Sequence, residues 1–291
     1  MKLLSQLING LNAGSIYALI AIGYTMVYGI AKMINFAHGD IIMVGAYIVW
    51  VMIAVLHMPV FLGIIIGVIG CAVLGVFIEK VAYKPLRNAP PLAVLITAIG
   101  VSYFLQSASL LIFSSAKRTF PVNFKIPQIS IGTLVIPGQT ILILVVTGIC
   151  MTALHLFINK TKAGSAMLAV SEDKKAAELM GVNVNSTISM TFAIGSALAA
   201  IAGVLFASSY VYVYPTMGSL IGIKAFVAAV LGGIGSVPGA MLGGILLGLV
   251  ESLSKTYLST QLSNAIVFGI LILVLLVRPA GLLGKSRIEK V

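Results

Sequence analysis

The 291-residue chain is 60% apolar and 9% charged, with a formal net charge of +11, a balance far from that of water-soluble globular domains. Apolar runs long enough to cross a bilayer core of about 30 Å, roughly 20 residues each, leave almost no sequence for a separate soluble domain. The basic excess is scattered over the loops between these runs, which argues against a nucleic-acid-binding face.

Taken in chain order, the runs predict helical spans at roughly 7–30, 40–56, 60–79, 92–113, 138–158, 186–209, 221–235, 238–254 and 263–278. The seventh and eighth are short and Gly-rich, so they stand either as two spans or as a re-entrant hairpin, giving eight or nine spans in all. The expected fold is all-α, a single polytopic transmembrane helical bundle over 1–291 with discontinuous or re-entrant Gly-rich elements. The N-terminal MKLLSQLINGLNAGSIYALIAIGYTMVYG lacks a short apolar core ending at a small-residue cleavage site. It reads as a retained first span.

After the first run, Met33-Ile34-Asn35-Phe36-Ala37-His38-Gly39-Asp40 places three polar side chains between two apolar stretches. One reading is a plain turn with Asp40 capping the next helix. The other is a discontinuous helix whose polar break lines a transport path, since polar groups at membrane depth need partners or water. Cys71 and Cys150 lie inside apolar runs and read as buried free thiols. Residues 114–137, SSAKRTFPVNFKIPQISIGTLVIP, form a Pro-interrupted, mildly basic loop that connects spans or offers a docking surface.

Between Asn159 and Val184 the chain turns polar: NKTKAGSAMLAVSEDKKAAELMGVNV holds four of the eighteen basic and three of the seven acidic residues. Ser171 is placed to cap a helix, with Glu172 and Asp173 favouring its positive end. Ala176, Leu179 and Met180 follow at i, i+3 and i+4 as a narrow apolar stripe, and Gly181 stands where a left-handed C-terminal residue belongs. The spacing fits a short docking helix over 172–180 and also a solvated loop with incidental helicity.

Further on, Gly218/Gly222, Gly235/Gly239, Gly239/Gly243 and Gly244/Gly248 are four apart, as are Gly10/Gly14 and Gly63/Gly67. Such pairs clear one helix face for close packing. Gly232-Gly233 and Pro238 suggest a broken hairpin that flexes. Glu251 lies within a late run, four residues before Lys255, and reads as an i, i+4 pair near the external interface, with Lys224 at a span edge. Gly284-Lys285-Ser286 imitates the end of a phosphate-binding loop, but position 279 is Pro where the motif requires Gly. No cofactor, metal or ATP site and no catalytic set is expected on this chain.

Twelve basic residues fall on alternate loops: Lys32; Lys80, Lys84, Arg87; Lys160, Lys162, Lys174, Lys175; Arg278, Lys285, Arg287, Lys290. The opposite loops carry five, Lys2, Lys117, Arg118, Lys125 and Lys255. The positive-inside rule places the 159–185 segment and the C-terminus in the cytoplasm.

The segment AGSAMLAVSEDKKAAELMGV resembles the cytoplasmic coupling loop of ABC-importer permeases. The whole chain is similar to the LivH-type permease family of bacterial branched-chain amino acid importers. The likeness rests on GSIYALIAIGYTMVYGIAKMINFAHGD at 14–40, EKVAYKP at 79–85, GIKAFVAAVLGGIGSVPGAMLGG at 222–244 and LLVRPAGLLG at 275–284. It implies a multi-pass permease of the inner membrane that carries leucine, isoleucine and valine. The implied partners are a homologous, LivM-like second permease, two cytoplasmic ABC ATPases that use ATP, an external solute-binding protein and the lipid bilayer. The ATPases are expected at Ser171, Glu172, Asp173, Ala176, Ala177, Leu179, Met180 and Gly181, and the path at Tyr17, Asn35, His38 and Tyr214. A self-sufficient secondary carrier or small-solute channel is the alternative, and an intramembrane enzyme lacks a catalytic pair.

Overall fold

The structure is a computed structural model, which describes residues 2–122, 124, 126–131 and 134–284. Of the loop and tail residues used above, Lys125, Lys285, Ser286, Arg287 and Lys290 lie outside the described residues, as does the C-terminus itself. Eleven α-helices are present among those described: α1 (Lys2–Ala31), α2 (His38–Trp50), α3 (Val60–Ile78), α4 (Pro91–Phe113), α5 (Gly138–Lys160), α6 (Lys162–Glu172), α7 (Lys174–Leu179), α8 (Val184–Tyr210), α9 (Met217–Gly232), α10 (Val237–Tyr257) and α11 (Ser263–Val277). A π-helical turn prolongs α2 to Val55, and π and 3₁₀ turns carry α3 on to Leu86. Four short strands add two antiparallel ribbons: β1 (Arg118–Thr119) with β4 (Tyr212–Val213), and β2 (Ile129–Ile131) with β3 (Leu134–Ile136).

The expected helices are all present among the described residues, although fewer than eight of them are long and apolar enough to count as full spans. By length and composition seven can cross a membrane: α1, α2, α3, α4, α5, α8 and α10, the second and third counted with their prolongations. The two Gly-rich runs also differ from expectation. The eighth, α10, has 21 residues, whereas α9 has 16 and α11 has 15, so shortness belongs to the seventh and ninth. Helix starts follow local chemistry: Pro90 and Pro91 open α4, where a missing N–H costs nothing. Asn183 and Ser236 cap α8 and α10 through their side-chain oxygens.

The chain divides into two compact units. The first comprises Met1–Thr25, Lys125–Ile149 and Lys224–Val291. Within it α1 lies against α10 along small residues. A side chain at Gly10 or Gly14 would strike the Leu249 and Ile245 backbone, and one at Gly244 or Gly248 would strike Ala18 and Gly14. The α9–α10 turn is tight, with Gly233 and Gly235 at φ of 107° and 97°, and Gly232 faces Gly239 backbone to backbone. Close packing, the role expected of these glycines, is what they perform.

The second unit comprises Met26–Phe124 and Cys150–Ile223. Its core is α2, α3 and α8, where Gly45 meets Ala200, Gly203 meets the Ile42 carbonyl and Gly75 meets Ser196. Cys71 is buried there and Cys150 is half-buried, both as free thiols. Large apolar side chains such as Phe61, Phe77, Phe104 and Leu111 point outward, an arrangement that suits a hydrocarbon surrounding and would be unfavourable in water.

Candidate coupling segment and buried polar clusters

The polar interruption is a helix–turn–helix rather than one helix over 172–180. Thr161 caps α6, its hydroxyl accepting from the Gly164 N–H. Glu172 is the last residue of α6, and Asp173 separates the helices in an extended conformation. Asp173 Oδ1 accepts from the Lys175 and Ala176 N–H groups at 2.8 and 3.0 Å. The cap of α7 is therefore Asp173, and Ser171 instead donates to the Leu168 carbonyl within α6. The reason is local: the residue that leaves helical φ/ψ is the one free to turn its side chain onto the next helix's N–H groups.

The far end follows the sequence reading. Gly181 takes φ of 83°, and the Val182 N–H closes back on the Ala177 carbonyl, a Gly-terminated helix end. Leu179 and Met180 are 89% and 85% exposed, and Ala176 is exposed beside them. Ala177, expected on the docking face, is turned inward and buried. Beside α7, a shallow cavity of about 310 Å³ runs between α6 and the start of α8, lined by Ala163, Ala166, Val182, Asn183 and Met190 among others.

The same unit joins this segment to the polar break. Lys174, the first residue of α7, donates from Nζ to the Ala31 carbonyl at the end of α1, 3.0 Å away. Burial, and then the positive charge of Arg87, hold its amine below the usual lysine range. Lys32 follows with φ of 60°, its N–H bonded to the Tyr28 carbonyl. Asn35 is buried, accepting from the Tyr83 hydroxyl at 2.8 Å, while its amide nitrogen has no hydrogen-bond partner among the described residues. His38, also buried, opens α2. Asp40 does not cap that helix. Its carboxylate accepts from Ser102 and from Gln106 on α4.

Two further features escaped the sequence reading. Glu79, wholly buried, pairs with Arg87 and accepts from Ser189 at 2.6 Å, and Arg87 also donates to Asn185 at the start of α8. These ties fasten the end of the α3 helix to α8. A lone acid at the end of an apolar run, eight residues before an arginine, was the available signal. Tyr214 stands elsewhere, half-buried after β4 with Lys117 Nζ 5.3 Å from its ring centroid.

In the first unit, Glu251 is not one half of a surface pair. It is 2% exposed and accepts from three groups: Lys224 at 2.7 Å, Lys255 at 2.6 Å and the Tyr17 hydroxyl at 2.8 Å. Lys224 is 4% exposed in the middle of α9, not at a span edge. Tyr17, expected on the path, is thus part of a polar knot joining α1, α9 and α10. Only the i, i+4 element was visible from spacing, because Lys224 is 27 residues away. Among the described residues, no group of three or more His, Cys, Asp or Glu is placed to hold a metal ion.

Residues 6–275 match the family model described as branched-chain amino acid transport system / permease component. The chain is 48% identical to the high-affinity branched-chain amino acid transport system permease protein BraD of Pseudomonas aeruginosa, covering 99% of this chain and 98% of that one. It is 46% identical to the LivH protein of the same description in Escherichia coli K12, covering 99% and 97%. It is 28% identical to the probable LivH of Methanocaldococcus jannaschii, covering 93% and 89%. PsaBC from Streptococcus pneumoniae in complex with Fab aligns over 96% of this chain and 91% of that chain at a TM-score of 0.44 and 13% identity, too distant to carry any inference. These relatives are transport permeases rather than enzymes, and the chain belongs to the family of permease components of branched-chain amino acid transport systems.

Proposed function

We propose that this chain is the membrane-embedded subunit of an ABC importer for leucine, isoleucine and valine, seated in the bacterial inner membrane. The supporting observation is the 46–48% identity, over nearly the whole chain, to permeases described as high-affinity for that substrate class. The family likeness favours this reading over a self-sufficient carrier. A LivM-like second permease completes the path, an external solute-binding protein delivers substrate, and two ATPases supply energy from the cytoplasmic side, where the C-terminus also lies. The ATPases grip α7, whose exposed Ala176, Leu179 and Met180 are apolar side chains on an otherwise charged segment. Glu172 and Asp173 flank that grip, Gly181 ends it, Ala177 is buried behind it, and Ser171 lies beside it in the last turn of α6.

The path is proposed to pass the α1–α2 break, where Asn35 and His38 sit buried between two apolar helices. Helix ends at such breaks offer unpaired backbone groups to a zwitterion. Tyr214 of the same unit is a further candidate for the lining. Uptake of radiolabelled leucine into proteoliposomes tests the reading. Transport is expected only with the second permease, both ATPases, ATP and leucine-loaded binding protein. Gradient-driven uptake by this chain alone would overturn it.

A further inference from the structure

The coupling segment touches the α1–α2 break through one side chain. Lys174 opens α7 and reaches back to the last carbonyl of α1 at 3.0 Å. Carbonyls in a final helical turn have no partner within the helix, and a lysine there also meets the negative end of the dipole. The next residue, Lys32, holds a left-handed conformation at φ of 60°, which costs a non-glycine residue about 1–3 kcal/mol and persists only where neighbours impose it. Three residues further, Asn35 is tied to Tyr83. The break is therefore held at both ends, by α7 through Ala31 and by the α3 extension through Asn35, with a strained residue between.

We propose that Lys174 is a positioning residue that latches α7 to the end of α1, so that movement of α7 resets the α1–α2 break. This rests on the reading of α7 as the ATPase dock. No other hydrogen bond among the described residues ties the α7 side chains to α1. An ammonium on a four-carbon stem suits the task, since it spans the gap and offers three donors to a single carbonyl. Burial and the nearby charge of Arg87 depress the lysine amine, and the Ala31 carbonyl is the acceptor it reaches. The latch carries force and takes no part in ATPase recognition, because Leu179 and Met180 present the exposed face.

The experiment uses the full complex in proteoliposomes, with leucine-loaded binding protein and three variants, Lys174→Met, Lys174→Gln and Lys174→Arg. Lys174→Met and Lys174→Gln should keep both ATPases in the purified complex and keep basal ATP hydrolysis. Leucine uptake and binding-protein-stimulated hydrolysis should fall about tenfold, the scale of a typical coupling between sites. The concentration of binding protein giving half-maximal stimulation should not change, and Lys174→Arg should recover most of the uptake. Unchanged uptake in Lys174→Gln, or a Lys174→Arg as impaired as Lys174→Met, overturns the latch. Loss of the ATPases from the Lys174→Met or Lys174→Gln complex also overturns it, since Lys174 would then belong to the dock. The dock itself is tested separately by Leu179→Asp, which should release the ATPases; retention there would fail the underlying reading and not the Ala31 contact.

Discussion

Helix α7 and helix α10 break the rules of their surroundings in opposite directions. In the polar segment, α7 exposes Leu179 and Met180; in the apolar body of the chain, α10 buries Glu251 against buried Lys224. Both arrangements are unfavourable taken alone, by apolar hydration in one case and by desolvation of charge in the other. The difference lies in where compensation is found. Glu251 is fully compensated within its own unit, by two lysines and a tyrosine hydroxyl. Leu179 and Met180 have no cover among the described residues, so theirs is expected from another protein. A self-contained violation predicts a stability effect, and an open one predicts an assembly effect.

The largest expected effect breaks the self-contained side. Glu251→Gln leaves Lys224 buried beside a neutral amide, and removing one partner of a buried pair costs about 3–5 kcal/mol. Thermal unfolding of the detergent-solubilised chain should show a large drop in midpoint. Lys224→Met combined with Glu251→Met should recover much of it, because an apolar replacement of both partners leaves no unpaired charge in that pair. If the single and double variants melt together, the knot is not a structural pair.

On the open side the effect is smaller and falls elsewhere. Leu179→Asp with Met180→Asp should leave the melting midpoint of the isolated chain near that of the unaltered protein, since exposed positions usually move stability by about 0.5 kcal/mol or less. Association with the ATPases should weaken by about 2 kcal/mol or more, the scale of an interface anchor, read as loss of co-purification. A destabilised monomer with intact association would reverse the roles assigned to the two helices.

How legible each region was follows from the separation of its partners. The helices were readable because apolar run length reports directly on span length, and Gly181 was readable because one residue type answers one backbone demand. The Glu251–Lys255 contact was readable at i, i+4, but Lys224 and Tyr17 reach Glu251 only through tertiary packing. The same holds for Tyr83 on Asn35, for Ser102 and Gln106 on Asp40, and for Lys174 on Ala31. Asp40 looked like a cap because acids often are; its side chain instead found donors on α4, as an intramembrane carboxylate must. The α6–α7 break was missed because Ser171, Glu172 and Asp173 are all plausible first-turn residues, and nothing in their order says which one leaves the helix.

That ambiguity sets the smallest and sharpest prediction. Asp173 supplies the oxygen that satisfies two N–H groups of α7, and loss of such a cap costs about 1 kcal/mol. In a helix of six residues, already too short to be stable unaided, this should be felt as fraying of α7. Asp173→Ala should therefore raise amide hydrogen exchange across 174–179 while leaving α6 protected. Ser171→Ala loses a bond to the carbonyl three residues back, within α6, and should alter exchange across α7 little. Equal fraying from both changes would mean that the two helices behave as one. The exposed stripe would then be presented by the whole 162–179 segment, and the contrast with α10 would shift from one short helix to the entire hairpin.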